Sequence, residues 1–277
     1  MCVFAWIALA ASIPFTATAL TAQSLPVEPF HDRGQSITPA YEGWFQNADG
    51  TYSLSFGYFS RNRMEEIDVP VGPNNRIEPG GPDQGQPTHF IPGRMWGIFV
   101  VTVPKDFGQN KLTWTLTVNG QTASVPASLN PLWEISPYKE ATGNTPPLLK
   151  FESGVTNQGP KPITLNMTAT EGAPLPLPVT ISDDAVLPSA NARTRPIPVA
   201  VTWSQYRGTG KVAFANVKPV VEKTAGDAVF TGKASTTATF GEPGEYILRV
   251  VGNDLSGSGG GGYQCCWTNV FVKVSVK

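Results

Sequence analysis

The sequence predicts an all-β protein built from two tandem β-sandwich domains. Three observations carry that prediction. Short apolar runs alternate with polar residues at period two, the pattern of half-buried strands. The 277 residues include 28 Gly and 26 Pro, which punctuate those runs with turns and disfavour helix. Strand-like runs recur along the chain with no helical periodicity between them, which argues for sandwiches.

The chain opens with an apolar run from Val3 to Ala11 and a small-residue stretch from Ala17 to Ala22. Ala17-Thr18-Ala19 fits an A-x-A cleavage site, and Leu20-Thr21-Ala22 is a second option. Residues 1–22 are therefore expected to be a signal peptide, although no Lys or Arg precedes the apolar run. The protein is expected to be exported: periplasmic, cell-surface or extracellular. No segment after the signal is expected to span a membrane. Residues 23–40 read as an extended lead-in.

The first domain is expected over 41–135. Asn47-Ala48-Asp49-Gly50 is a turn, and Tyr52, Leu54, Phe56 and Tyr58 then alternate with Ser53, Ser55 and Gly57. Ile67 to Val71 is a short run broken by Pro70, so an edge or irregular strand is expected there. Residues 72–92 form a long loop rich in Gly, Pro, Asn and Asp, of the length that is often functional. Trp96 to Val103 and Leu112 to Val118 are strands. Asn119-Gly120 is the strongest hairpin signal in the chain, and Thr122 to Val125 should return beside Leu112 to Val118.

Residues 136–162 hold Pro137, Pro146, Pro147, Pro160 and Pro162 and read as a Pro-rich linker. The second domain is expected over 163–277. Its strands are Ile163 to Ala169, Val179 to Ile181, Val199 to Trp203, Lys211 to Phe214, and three more from Thr236 onward. Pro174 to Pro178 is expected to be a turn-rich connection.

Phe240-Gly241-Glu242-Pro243-Gly244-Glu245-Tyr246-Ile247-Leu248-Arg249-Val250, then Asn253-Asp254 and a terminal Val-x-Val strand, resembles the closing strands of PKD and related immunoglobulin-like domains. That resemblance implies an immunoglobulin-like sandwich and says almost nothing of function. Trp203 is followed by Ser204-Gln205-Tyr206-Arg207-Gly208 and not by the acidic, glycine-bearing segment usual in PKD domains. The first half, through Gly43-Trp44-Phe45, Arg61-Asn62-Arg63 and Val103-Pro104-Lys105-Asp106-Phe107-Gly108, resembles exported bacterial proteins with no assigned activity.

Formal net charge is −1 and Lys and Arg are scattered, so nucleic acid is not an expected partner. Signal cleavage would leave two cysteines, the adjacent Cys265 and Cys266. Neighbouring side chains on a regular strand point to opposite faces, so both cannot enter one core. In an oxidising compartment a vicinal disulfide is the favoured form. A pair of intermolecular bridges or a redox site, and one buried thiol beside a bystander, are the alternatives. Two cysteines without a nearby histidine offer too few ligands, and no metal or cofactor is expected. The run from Gly257 to Gly262 lacks a Gly-Lys-Ser/Thr ending and reads as a flexible loop.

Trp44, Tyr52, Tyr58, Tyr263 and Trp267 are the candidate binding residues. Rings on a period-two strand are core in the simplest reading, and a sugar-stacking platform in the alternative. Glu65, Glu66, Asp68, Asp83 and His89 could supply carboxylates or calcium oxygens, or a solvated face paired with arginines. Asp183-Asp184 and Asn253-Asp254 carry the same two readings. No His-Glu-x-x-His, Gly-x-Ser-x-Gly or Cys/His pairing occurs. The expected function is an exported, non-catalytic structural or protein-interaction module. A carbohydrate-binding module is the first alternative, and a hydrolase with its site in the 60–95 region is the second. The expected partner is another protein or a polysaccharide.

Overall fold

A computed structural model describes residues 31–186, 199–225, 229–254 and 265–277. The expected signal peptide, residues 23–30 of the lead-in and the glycine run from 257 lie outside the described residues; the end of the expected lead-in, from Ile37, is already strand. The fold is all-β, as predicted, with a single short 3₁₀ turn over Pro131–Trp133 among the described residues.

The first half contributes eight strands: β1 (Ile37–Gln46), β2 (Tyr52–Ser60), β3 (Ile67–Asp68), β4 (Asn75–Glu78), β5 (His89–Phe90), β6 (Gly93–Val103), β7 (Leu112–Val118) and β8 (Gln121–Ala127). Two antiparallel sheets, ordered β1-β2-β6 and β4-β7-β8, enclose one core, and β3 pairs β5 beside them. Leu54, Phe56, Ile77, Phe90, Phe99, Trp114 and Leu116 are almost wholly buried there. Phe56 stacks on Phe99 at 5.2 Å, and Trp114 meets Phe99 edge-on at 5.1 Å. The Asn119-Gly120 hairpin forms as expected, with both residues at positive φ. Both faces of β2 are covered: Ser53 and Ser55, which alternate with its rings, are fully buried.

The second half contributes ten: β9 (Leu148–Lys150), β10 (Thr156–Gln158), β11 (Ile163–Ala169), β12 (Leu175–Asp183), β13 (Ala200–Arg207), β14 (Val212–Phe214), β15 (Glu222–Ala225), β16 (Phe230–Phe240), β17 (Gly244–Asn253) and β18 (Trp267–Val276). One sheet runs β10-β9-β12-β16-β14, with β15 also on β16; the other runs β11-β18-β17-β13. β11 joins β18 in parallel while the other pairs are antiparallel. Leu149, Ile181, Trp203, Phe240, Leu248, Val270, Val272 and Val274 fill the space between them. Tyr246, near the start of β17, donates its hydroxyl to Glu242 O at 2.7 Å, the tyrosine corner of immunoglobulin-like sandwiches.

Two further stretches differ from expectation. Residues 148–150 and 156–158, inside the expected 136–162 linker, are strands β9 and β10 and close one edge of a sheet. Pro174 to Pro178, expected to be a connection, lies mostly within β12. There β12 pairs β16 throughout, but β9 covers only Thr180 to Ser182. Among the described residues no strand pairs with the other edge at Pro176 and Pro178, so their missing N–H groups cost no ladder bond there.

The two halves are not beads on a linker. Tyr206, on β13, belongs to the first core, and Ile247 and Phe271 pack against it from β17 and β18. The outer face of the β11-β18-β17-β13 sheet is therefore an interdomain surface. Tyr206 lies on Phe271 at 4.5 Å and donates its hydroxyl to Gly85 O. Arg207 grips Asp83 through two nitrogens, at 2.8 and 3.0 Å. On the first half, Gly97 O accepts from Trp267 Nε1 at 3.2 Å and from Asn269 Nδ2 at 2.8 Å. Gly97 sits at φ +46°, and a Cβ there would lie 2.4 Å from the Trp267 ring, so only glycine fits.

Candidate functional site

Cys265 and Cys266 form a vicinal disulfide. Both are buried, which adjacent residues achieve here because they precede β18 instead of lying within it. Cys265 Sγ lies 3.3 Å from Pro137 O, and Cys266 Sγ lies 3.7 Å from Asn144 O. The disulfide thus packs against the 137–147 segment. Thr268 continues the contact through Pro147 O and Gly159 N. Burial of both sulfurs leaves no accessible face for thiol exchange.

The described candidate rings are packed. Trp44 is 9% exposed, donates Nε1–H to Asn130 O at 2.8 Å, and meets Tyr52 edge-on at 82°. Tyr58 is buried against Phe90, and its hydroxyl accepts from Ile91 N. Trp267 is buried over Gly97. Tyr52 is half-buried beside the first core. A flat, exposed stacking platform needs coplanar open rings, and these four do not make one. Tyr263 lies outside the described residues.

The acidic residues of the 60–95 region do not gather at one site; two of them, Glu66 and Asp68, meet at His89. Glu65 accepts from Gly34 N at 2.7 Å. Glu66 and Asp68 flank His89, at 3.4 Å from Nε2 and 2.8 Å from Nδ1. Asp83 faces Arg207, whose hydrogen bonds hold its carboxyl below the usual range. A glycosidase pair requires two carboxyls facing one substrate across a site; here Glu66 and Asp68 share His89 from opposite nitrogens of its ring, and Glu65 and Asp83 are engaged elsewhere. Among the described residues no group of three or more His, Cys, Asp or Glu is placed to hold a metal ion.

At the other end of the second sandwich, Asp183 is buried, and its Oδ1 has no hydrogen-bond partner among the described residues. Burial lifts its carboxyl to about 7, with Asp254 and Asp184 adding repulsion and Ala185 N opposing. Asp184 is held by Thr145, through N at 2.9 Å and Oγ1 at 2.6 Å.

A cleft of about 520 Å³ lies between the two halves. The first half supplies Glu66, His89, Ile91, Met95 and Trp96 to its wall; the second supplies Phe214, Val217, Lys218 and Arg249. Ligand pockets of this size favour domain boundaries. Arg94 lies over the Trp96 ring at 3.7 Å, a cation–π contact, and pairs with Glu42. Burial pushes the Glu42 carboxyl up, and Arg94 opposes that shift.

Arg249 also lines the cleft. It projects from the outer face of β17 between Ile247 and Val251, and is 6% exposed. Its Nε donates to Asn269 Oδ1 at 2.9 Å. Burial lowers its guanidinium to about 10, with Tyr206 and Tyr58 opposing. Sequence reasoning read Arg249 only as an alternating strand residue. The available signal was a charge flanked at i±2 by Ile247 and Val251 on the face away from the core, because two apolar neighbours there mean that this face is covered too.

No protein-family model matches the chain, and no curated protein matches its sequence. Among solved structures the chain is similar to domains 4 and 5 of the S-layer protein SbsC, at 12% identity over 87% of this chain and 97% of that one, with a TM-score of 0.23. It is similar to zebrafish RET cadherin-like domains 1 to 4, at 12% identity over 77% of this chain and 46% of that one, with a TM-score of 0.28. A protein of unknown function from Porphyromonas gingivalis W83 gives 9% identity over 86% and 99%, with a TM-score of 0.23. Scores this low carry no functional meaning.

Proposed function

We propose that the protein is an exported, non-catalytic interaction module whose two sandwich domains act as one body. One observation carries the reading: an apolar ridge held rigidly on the outside of the first sandwich. Leu132 is 90% exposed, Trp133 49% and Tyr138 41%. Trp133 leans on Tyr41 and Tyr138 on Phe45, so both rings ride on β1. The turn beneath them is pinned, with Leu132 N bonded to Asn130 Oδ1 and Ile135 N to Trp44 O. A surface that presents large apolar groups in fixed positions is a surface for another molecule. Export is supported by the A-x-A segment and by the disulfide, which needs an oxidising compartment. No helix among the described residues is long and apolar enough to cross a membrane.

The test places a photo-crosslinking residue at Leu132 in cells that export the chain, with exposed Lys111 as the control position. Adducts at 132 that are absent at 111 are the expected result. A chain that stays uncrosslinked at both positions refutes the reading. Retention on a glycan array, lost when Trp133 is replaced by Ala, would place a polysaccharide and not a protein on the ridge.

A further inference from the structure

We propose that the interdomain cleft is a binding site for an organic carboxylate carried on an apolar body, held by Arg249. The guanidinium has five N–H donors. Among the described residues it makes one hydrogen bond, through Nε, and no ion pair with any carboxylate. The acid that lines the cleft, Glu66, faces His89. The two phenols beside Arg249 are engaged elsewhere, Tyr58 with Ile91 N and Tyr206 with Gly85 O. A cation this deeply buried is costly unless an anion meets it, because its lost hydration is not replaced. A carboxylate matches the flat fork of the guanidinium through two parallel hydrogen bonds.

The rest of the cleft describes the body of the ligand. Met95, Trp96, Phe214 and Val217 give it apolar walls, and Lys218 adds positive charge. A neighbouring cavity of about 10 Å³ also touches Arg249 and has room for about one water. Hydration of Arg249 from that cavity is the competing explanation, and it predicts no carboxylate binding.

This assignment deepens the interaction-module reading by naming the chemistry that the cleft accepts. It is tested separately, on the isolated protein. N-acetyl-leucine is titrated by calorimetry against N-acetyl-leucinamide, which keeps the body and removes the charge. The acid should bind at least about tenfold tighter than the amide. Arg249→Met should abolish that difference. The acid should also shift the Arg249 side-chain ¹⁵N resonances of the unmodified protein, a readout that needs no variant to fold. A peptide ending in leucine that binds tighter than the single residue would identify a chain terminus as the source. Equal or weaker binding would identify a free small acid. Equal binding of acid and amide, no binding of either up to about 10 mM, or unmoved Arg249 resonances would overturn the site. None of those results would bear on crosslinking at Leu132, so the two readings fail independently.

Discussion

Asn269→Ala should be strongly destabilising. Asn269 is fully buried where the halves meet. Its Nδ2 donates to Gly97 O at 2.8 Å and to Pro160 O at 3.1 Å, and its Oδ1 accepts from Arg249 Nε at 2.9 Å. One side chain thus ties β6, the segment before β11, and β17 together. Each of the two neutral bonds contributes about 1 kcal/mol, and the bond from the guanidinium about 2 kcal/mol. The expected loss is about 4 kcal/mol, a large share of the 5–15 kcal/mol typical of folded domains. Urea unfolding measures it, and the shared core predicts one transition for both halves. The Arg249→Met background isolates the charged bond. There, Asn269→Ala should cost only about 2 kcal/mol, a coupling of about 2 kcal/mol. A loss below about 1 kcal/mol, or equal losses in the two backgrounds, would refute this account of the boundary.

Asp183 gives a pH test. Its folded carboxyl titrates near 7, above the usual value of 3.8, so the native state holds a proton that the unfolded chain has released. Stability should fall as pH rises between about 4 and 7 and then level off, by up to about 4 kcal/mol. Asp183→Asn should flatten this slope and raise the melting temperature at pH 8; an unchanged slope would exclude Asp183 as its origin. Gly97→Ala should cost about 2–4 kcal/mol, because the new methyl meets the Trp267 ring and the residue sits at positive φ. Thermal melts read that loss, and Trp267→Phe should recover part of it.

What was legible in the sequence is what short-range chemistry decides. β7, Asn119-Gly120 and β8 follow from alternation and a turn that needs positive φ twice. Val270, Val272, Val274 and Val276 share one buried face of β18, as their spacing requires. The Pro-rich 136–162 stretch misled, because Pro density signals missing donors and not missing strands. β9 and β10 are only three residues each, too short for alternation to show. Ser53 and Ser55 leave the second face of β2 undecided in the sequence, because small polar residues are as compatible with a close-packed face as with solvent; both are buried. Trp44 and Trp267, candidate binding rings in the sequence, are buried, and what they pack against lies far along the chain, at Asn130 and Gly97.

The same limit explains why the cleft was missed. A strand with one buried face is written as apolar and polar residues in alternation. β17 breaks that rule, since Ile247 and Val251 are apolar on the face away from its own core. The covering layer is the first sandwich, which carries Gly85, Gln86 and Gly97 to the outer faces of β13 and β18. Once that face is read as interior, Arg249 becomes the anomaly of the molecule. Its bond to Asn269 helps to hold the halves together, but that bond uses one of the five guanidinium donors. An arginine in the lining of an open cleft, with four of its five donors unused among the described residues, therefore points outward, to the cleft and what enters it.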